Sequence, residues 1–193
     1  WSVPAFGGPA RRLIVDGRSA VVSPDGQHIA FVRDVAAGSD LWFCDAEGGG
    51  ARRLVASDSS GVLVFMAPAW APGSHRIAYG RQAVGANGDR TTRLESCDLR
   101  GRITVFLADS LALRLHPYPM TTWLPDGREL FPISEPAPNT GDINLWARRV
   151  NPETGVAAGA ARQITHWLRV SYPIVGNHSA DGRRLAVTQI QYP

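Results

Sequence analysis

The sequence contains no lysine, so all 20 of its basic residues are arginine. A lysine amine is required by Walker-type phosphate loops and by Schiff-base enzymes, and both kinds of chemistry are therefore excluded for these residues. The net charge is only +3, and paired arginines recur at repeat positions, which indicates structural arginines on a solvated surface. No nucleic-acid partner is predicted.

Motifs of catalysis and metal binding are also missing. The sequence has no Gly-x-Ser-x-Gly, no His-Glu-x-x-His and no Cys-x-x-Cys, which excludes a hydrolase elbow and the ordinary zinc sites. Its repeated turn aspartates, one to a turn, are too few for the roughly six to eight oxygens that calcium prefers. We therefore expect no catalytic residue, no metal site and no cofactor in this chain.

Long apolar runs are absent as well. None approaches the roughly 20 residues that cross a bilayer, so the chain is not expected to be embedded in a membrane. The two cysteines, Cys44 and Cys97, occupy equivalent places in neighbouring repeats, where their separation should exceed the ~7 Å that a disulfide allows. No initiator methionine or signal peptide is seen, and we expect the sequence to be a piece of a longer one.

What the sequence has in abundance is one short hairpin. Two apolar runs, Ala20–Val22 and Ile29–Val32, are separated by six residues that begin Ser23-Pro24-Asp25-Gly26, a combination typical of a tight turn between strands. The unit recurs at intervals of about 48, 53 and 55 residues. The later turns are 71–74, 124–127 and 179–182.

This repeat predicts an all-β fold, a partial β-propeller of four-stranded antiparallel blades. Strands that are apolar on both faces, such as Ile103–Leu107, suit blades stacked face to face. The whole chain is predicted to belong to one propeller domain. Within it we expect about three full blades and two fragments of blades. These are the fragment 1–15, the blades 20–55, 64–107 and 118–165, and the fragment 173–193.

The two fragments are complementary halves of a blade. Trp1 to Leu13 aligns without a gap on Trp42 to Leu54, which assigns the first fragment to two outer strands, whereas the last fragment supplies two inner strands. Pairing them would close a small four-bladed ring with a narrow centre. We expect instead an open arc whose edges are covered by further blades.

The segments after the hairpins carry a family resemblance. Ser-Pro-Asp-Gly followed by Ile29-Ala30-Phe31, Asp40-Leu41-Trp42 and then Asp45 to Gly49 resembles the TolB-like, or WD40-like (PD40), propeller repeat. That family occurs in periplasmic scaffold proteins, in prolyl-oligopeptidase-type peptidases, and in sensor regions fused to bacterial Ser/Thr kinases or winged-helix regulators. The stretch from Ile143 to Thr165 is most similar to the kinase- or regulator-fused kind.

The resemblance implies a non-catalytic binding or sensing module, a fragment of a larger bacterial signalling protein. Two alternatives stay open: the propeller domain of a prolyl-oligopeptidase-type peptidase, and a periplasmic protein-binding scaffold. A protein or peptide partner is expected, with a small molecule as the alternative ligand. A periplasmic or otherwise extracytoplasmic location is favoured.

Candidate binding residues lie in the long, varied loops of the rim opposite the Pro-Asp-Gly turns, because loops held by a rigid scaffold often carry function. Aromatic, histidine and arginine side chains gather in the connections between blades. The candidates are His116, Tyr118, His166, Trp167, Arg169 and Tyr172. Packing of the loops themselves is the alternative interpretation. The tryptophans at repeated positions, Trp42, Trp146, Trp70 and Trp123, are predicted to belong to the core.

Overall fold

The computed structural model describes residues 1–36, 38–57, 62–84, 87–115, 120–139 and 141–191. Within them the fold is all-β, and the four antiparallel sheets are the blades of a propeller. Three sheets have four strands each and the last has two. The predicted fold class is therefore confirmed. The boundaries of the blades as domain units remain a prediction.

The strands follow one another in simple meanders. Blade 1 consists of β1 Arg18–Val22, β2 His28–Val35, β3 Gly38–Asp45 and β4 Arg52–Val55. Blade 2 consists of β5 Val62–Trp70, β6 Arg76–Val84, β7 Arg90–Asp98 and β8 Ile103–Leu107. Blade 3 consists of β9 Thr122–Trp123, β10 Arg128–Ser134, β11 Ile143–Val150 and β12 Ala157–Gln163. The hairpin of β13 Val170–His178 and β14 Leu185–Gln191 follows, and a 3-10 turn at Ala112–Arg114 joins blades 2 and 3.

Two segments differ in detail from the predicted strands. The fourth strand of blade 3 was expected near 161–165 and lies at Ala157–Gln163. Residues 1–15 contain one isolated bridge, between Ser2 and Arg11, in place of two strands. Pro4 and Pro9 explain the shorter pairing, because proline has no amide hydrogen to donate to a ladder.

Apolar side chains from both faces of each blade form the core between blades. One cluster joins Val32 and Leu41 of blade 1 to Ile77 and Tyr79 of blade 2. A second joins blade 2 to Phe131 and its neighbours in blade 3. Blade 3 in turn meets the β13–β14 hairpin through Leu124, Leu130, Ala147 and Leu185. The chain thus buries a continuous series of sheet faces, as stacked blades require.

The tryptophans follow the repeat but differ in burial. Trp70 and Trp123 are buried, and the Trp70 indole donates a hydrogen bond to the Val21 carbonyl of blade 1 at 3.1 Å. Trp42 and Trp146 are half-buried. An arginine covers each of their rings: Arg33 lies 4.4 Å from the Trp42 ring and Arg114 lies 5.7 Å from the Trp146 ring.

The two cysteines are free thiols, and both are buried. Burial raises the pKa of each, that of Cys97 to about 12. Their prediction as unpaired buried residues is confirmed. In the part of the chain that is described, no helix is both long and apolar enough to cross a membrane.

The Pro-Asp-Gly turn survives its substitution in blade 2. Gly26, Gly127 and Gly182 take positive φ values of 73°, 82° and 67°, a region that glycine adopts without strain. Ser74 occupies this position in blade 2 with φ of 60°. Its hydroxyl also accepts a hydrogen bond from the Asp25 amide of blade 1 at 3.1 Å. The serine therefore closes its own turn and joins two blades.

The turn of blade 3 is one residue shorter than the others. In blade 1 the turn is closed by a hydrogen bond from the Ser23 amide to the His28 carbonyl. In blade 3 it is closed by a hydrogen bond from the Leu124 amide to the Arg128 carbonyl. The residue after each closing carbonyl faces the preceding blade. It is isoleucine in blades 1 and 2, at Ile29 and Ile77, but Glu129 in blade 3. A carboxyl group therefore occupies an apolar position.

Glycine is required where one blade meets the turn of the next. A Cβ on Gly101 would lie 2.8 Å from the Leu54 carbonyl oxygen of blade 1, and Gly101 has a φ of 81°. Gly26 has a similar φ but open space around the missing Cβ. Gly26→Ala is expected to cost about 1–2 kcal/mol, from backbone conformation alone. Gly101→Ala should cost about 1–3 kcal/mol more, because the backbone must also move apart.

Urea denaturation of the two variants measures this difference in the free energy of unfolding. Equal losses would contradict close packing at the blade 1–blade 2 contact.

Candidate functional site

In each blade the loop between the second and third strands lies at the same end of the propeller as the connections between blades. We call this end the loop rim. Of the predicted candidates, His166 and Arg169 are exposed there and Trp167 is half-buried. His116 and Tyr118 lie outside the described residues. Tyr172 is part of β13, and its side chain also lies outside what is described. The structure thus brings three of the six candidates into one short segment between blade 3 and β13.

Asn144 holds this segment in place from beneath. It is 2% exposed, and its Oδ1 accepts hydrogen bonds from the Trp167 amide at 2.7 Å and from the Thr165 hydroxyl at 2.9 Å. Its Nδ2 donates to Glu135 Oε1 at 2.9 Å and to the Trp167 carbonyl at 3.3 Å. A buried, fully bonded amide of this kind fixes the loop backbone.

Two further contacts complete the support. Gln163 donates from Nε2 to Glu135 Oε1 at 3.0 Å and to the Thr165 carbonyl at 2.9 Å. Arg169, with a φ of 58°, is held by a hydrogen bond from its amide to Asp142 Oδ1 at 2.7 Å. A positive φ on arginine is unfavourable without such a constraint. The backbone of residues 165–169 is therefore bonded at several points, while the side chains of His166, Leu168 and Arg169 are exposed.

Blade 1 contains the same kind of support. Asp40, the residue equivalent to Asn144, is buried and accepts a hydrogen bond from the Ser57 amide at 2.7 Å and from Arg53 at 3.2 Å. The support therefore occurs in blades 1 and 3, whereas blade 2 has Arg93 at this position. What distinguishes blade 3 is the segment it holds, since Trp167 and Arg169 bring an aromatic and a cationic side chain to the rim.

Removing the Asn144 side chain is expected to loosen this segment. Asn144→Ala leaves the buried Trp167 amide without its acceptor and leaves the Glu135 carboxylate with Gln163 in place of two donors, and we expect a loss of about 2–3 kcal/mol in the free energy of unfolding. Asn139→Ala, at an exposed position of the preceding loop, should change it by less than about 0.5 kcal/mol. Amide hydrogen exchange at Trp167 should accelerate in the first variant alone; unchanged exchange there would contradict the proposed support.

A second candidate surface is the channel at the centre of the propeller. A cavity of about 400 Å³ is bordered by the innermost strands of all four sheets. Its walls include Val21 and Val22 from β1, Pro68–Trp70 from β5, Met120–Trp123 around β9 and Val175–His178 from β13. Most of the walls are apolar, and Thr121, Thr122, Asn177 and His178 contribute the polar side chains.

The repeated turn aspartates are engaged in their own turns. Asp25 accepts hydrogen bonds from the Ser23 hydroxyl at 2.5 Å and the Gln27 amide at 3.0 Å, and Asp181 repeats the pattern with Ser179 and Arg183. These bonds, the serine bond first, lower the pKa of both carboxyl groups. Among the residues described, no group of three or more His, Cys, Asp or Glu side chains is placed to hold a metal ion.

No protein-family model matches the chain. No curated protein matches it either. Solved structures do. TolB from Acinetobacter baumannii superposes with a TM-score of 0.60 at 17% identity over 89% of this chain and 37% of its own length. Acylaminoacyl peptidase from Pyrococcus horikoshii superposes with a TM-score of 0.61 at 16% identity over 92% of this chain and 29% of that chain.

A TolB described as putative, from Agrobacterium tumefaciens, gives a TM-score of 0.58 at 18% identity, over 90% of this chain and 54% of that chain. The chain has a TolB-like β-propeller fold. It spans little more than half of the Agrobacterium structure and smaller shares of the other two. At such identities the TolB-like likeness describes the fold and no more.

Sequence reasoning missed the residues that support the loop rim. Asn144, Glu135 and Gln163 were not among the candidates. A signal for Asn144 was available, because it precedes Leu145-Trp146 as Asp40 precedes Leu41-Trp42. The signal was interpreted as part of the repeat and not as the group that holds the neighbouring loop. Glu135 and Gln163 carry no comparable pattern.

Proposed function

We propose that this chain is a non-catalytic binding or sensing module that takes a protein or peptide partner at the loop rim. The observation that carries the proposal is the exposed segment 166–169 held by buried Asn144. A small molecule is the alternative ligand. No catalytic residue is assigned.

The chemistry of the segment supports a protein or peptide partner. Leu168 is 73% exposed, and it lies between half-buried Trp167 and exposed Arg169. Tryptophan and arginine are enriched among residues that dominate binding energies at protein interfaces. A backbone already fixed by hydrogen bonds loses less conformational entropy when a partner binds. Small structural adjustment on binding is therefore expected.

The wider context is part of the same proposal. The likeness of residues 143–165 to kinase- or regulator-fused repeats favours a module within a larger bacterial signalling protein, placed outside the cytoplasm. The limited share of each structural neighbour that the chain spans is consistent with a module of something longer. The sequence of the full gene decides this point, since a kinase or winged-helix domain on the same chain is expected.

A second candidate function is the propeller of a prolyl-oligopeptidase-type peptidase, which would control peptide access to a hydrolase domain. The central cavity of about 400 Å³ supports it, as does the likeness to acylaminoacyl peptidase. On this alternative the full gene encodes a Gly-x-Ser-x-Gly hydrolase domain. Peptide contacts should then involve the channel walls in preference to Leu168 and Arg169.

Selection from a random peptide library displayed on phage tests the proposal. Selected peptides are labelled, and their affinity is measured by fluorescence anisotropy for the wild type and for Leu168→Ala/Arg169→Ala. We expect the double variant to bind about tenfold more weakly. Arg100→Ala, which removes an exposed arginine from the opposite rim, is the matched control and should bind normally.

Two results would overturn the proposal. Equal affinity of the double variant and the wild type would remove the loop rim as the binding surface. Cleavage of the selected peptides by this chain alone, detected by mass spectrometry, would contradict a non-catalytic module.

A further inference from the structure

A groove lies between the outer strands of blades 2 and 3. It has a volume of about 450 Å³ and follows β8 and the two residues after it, from Thr104 to Asp109. Val156 and Ala157, near the start of β12, and Arg148 of β11 complete its lining. We call it the outer groove. Both of the blades that border it have four strands, so it belongs to the body of the propeller.

β8 presents free backbone groups along this groove. Among the described strands it pairs with β7 and with none on its other edge. The Arg102 carbonyl accepts a hydrogen bond from the Asp98 amide of β7, and backbone groups alternate in direction along a regular antiparallel pair. The pairing is regular up to Val105. Thr104 therefore directs its amide and carbonyl towards β7, whereas Ile103 and Val105 direct theirs outward.

The outer strands of blades 1 and 3 are less suited to further pairing. β4 carries the exposed arginines Arg52 and Arg53, and charge on an edge strand opposes the addition of another strand. β12 consists mainly of alanine and glycine, which are depleted in strands. β8 instead has two exposed β-branched side chains and no charged residue. Its composition favours strand pairing.

The side of the groove formed by blade 3 is apolar and made of small residues. Ala157 and Ala161 of β12 pack towards blade 2, and Val156 beside them is 57% exposed. A strand laid along β8 would stack on these residues as the blades stack on one another. Its other face would lie next to Ile103 and Val105, which are 45% and 44% exposed.

Arg148 lies beside the end of β8. Its Nη1 donates to the Phe106 carbonyl at 2.9 Å and lies 3.4 Å from Asp109 Oδ2. The Asp109 side chain is 55% exposed, and an ion pair with so exposed a partner contributes little. The Arg148 side chain keeps 20% of its surface exposed, so a second acceptor can reach it.

Another arginine lies beneath the groove. Arg76 is 4% exposed, and its described hydrogen bonds go to hydroxyl and carbonyl oxygens, among them Thr104 Oγ1 at 3.1 Å. Asp98 attracts this charge through space but forms its ion pair with Arg102, at 2.6 Å. The outer groove therefore has an excess of positive charge, and an acidic side chain is the complementary group.

We propose that β8 binds an extended peptide segment of a partner protein as a fifth strand of blade 2. Hydrogen bonds to the backbone of Ile103 and Val105 supply the pairing, as in other cases of strand addition. The segment carries β-branched or other apolar side chains and an acidic residue that meets Arg148. This surface shares no residue with the segment 166–169, so the two binding proposals can fail separately.

A synthetic peptide tests the strand addition. The probe is fluorescein-labelled Glu-Val-Thr-Val-Thr-Val-Thr, whose glutamate sets the register, and its affinity is measured by fluorescence anisotropy. Two further versions carry N-methyl groups at either the odd or the even amides, and only one of these sets can face β8. We expect one version to bind about tenfold more weakly and the other to bind like the parent. Equal effects of the two methylations, or no binding up to about 1 mM peptide, would overturn the proposal.

Variants of the protein locate the peptide. Val156→Glu places a negative charge in the outer groove and should weaken binding about tenfold. Val35→Glu, at a valine that is 42% exposed outside the groove, is the matched control and should bind normally. Both changes are at exposed positions, and circular dichroism checks that the fold is kept. Equal affinity of the two variants would place the peptide elsewhere and overturn the proposal.

A second copy of the chain is the competing occupant, since two β8 edges could pair with each other. Light scattering after size-exclusion chromatography measures the mass of the wild type and of both variants. We expect Val156→Glu to leave the mass unchanged. A wild-type dimer that dissociates in Val156→Glu and persists in Val35→Glu would show that a second copy fills the groove, and would overturn the assignment to a partner peptide.

Discussion

Replacing Glu129 with leucine is expected to raise the free energy of unfolding at pH 7 by about 3 kcal/mol. The Glu129 side chain is 0% exposed and lies on the sheet face that Phe131 and Trp123 present to blade 2. Neither oxygen has a hydrogen-bond partner among the described residues. The Thr121 hydroxyl lies nearby, and Arg148, directly across the strand pair, donates to Phe106 and Gly159 instead.

The pH dependence of this effect has a definite sign. Burial raises the pKa of Glu129 from 4.5 to about 8, so the folded protein retains a proton that the unfolded chain releases. The wild type should therefore lose stability as the pH rises from 4.5 towards 8, and level off above that. Below pH 4.5 the carboxyl group is neutral in both states and the cost disappears. The advantage of the leucine variant should grow over the same interval.

Urea denaturation at pH 5, 7 and 8, followed by tryptophan fluorescence, checks both statements. Glu129→Gln is the control for ionisation, because it keeps the size and polarity of the side chain without its titration. The difference in the free energy of unfolding between the wild type and Glu129→Gln should follow the pH dependence expected from the titration of Glu129. A leucine variant less stable than the wild type at pH 7 would show that the carboxyl group has a bonded partner after all.

The largest loss is expected for Glu95→Ala, about 3–5 kcal/mol. Glu95 is fully buried between Arg81, whose Nε lies 3.1 Å from Oε2, and Arg93, whose Nε lies 2.5 Å from Oε1. Arg81 is itself buried. Without the carboxylate, the Arg81 charge would remain in the interior with its principal counter-ion removed, which is far more costly than the loss of a surface ion pair.

Arg93→Ala is the matched control. Arg93 is about half-exposed, and its loss leaves the Arg81–Glu95 pair intact. We expect about 1 kcal/mol or less. Thermal unfolding of both variants gives the comparison, and similar melting temperatures would argue against a dominant buried pair.

Much of the fold followed from the sequence because the hairpin repeat is redundant. Four copies of one turn predict the strand order, and a copy with a different sequence can still be recognised from the other three. Ser74 illustrates this, because it adopts the positive φ of the glycine that it replaces. The half-blade alignment of residues 1–13 was visible for the same reason. The repeat also accounts for the proximity of Arg81 and Glu95. These residues occupy the positions that Arg33 and Trp42, which contact each other, occupy in blade 1.

Other features were beyond sequence reasoning. The sequence Leu124 to Leu130 has the same spacing as Ser23 to Ile29, so nothing in it reveals that the turn closes one residue earlier and turns Glu129 towards blade 2. The support of the loop rim depends on contacts between Asn144 and residues some twenty positions later. Such contacts have no periodic signature, and the binding role of the rim stays a prediction.

The short turn of blade 3 also limits how blades can be exchanged by recombination. The turns of blades 1 and 2 close at equivalent residues, so equivalent side chains of their second strands point to the same sheet face. These two strands could therefore be exchanged. A crossover within 124–130 that imposed the later turn closure of blade 1 would send each later side chain of β10 to the opposite sheet face, exchanging buried Phe131 and Ile133 for their neighbours. Duplication and shuffling of blades in this chain should therefore tolerate breakpoints in the connections between blades and reject those inside this hairpin.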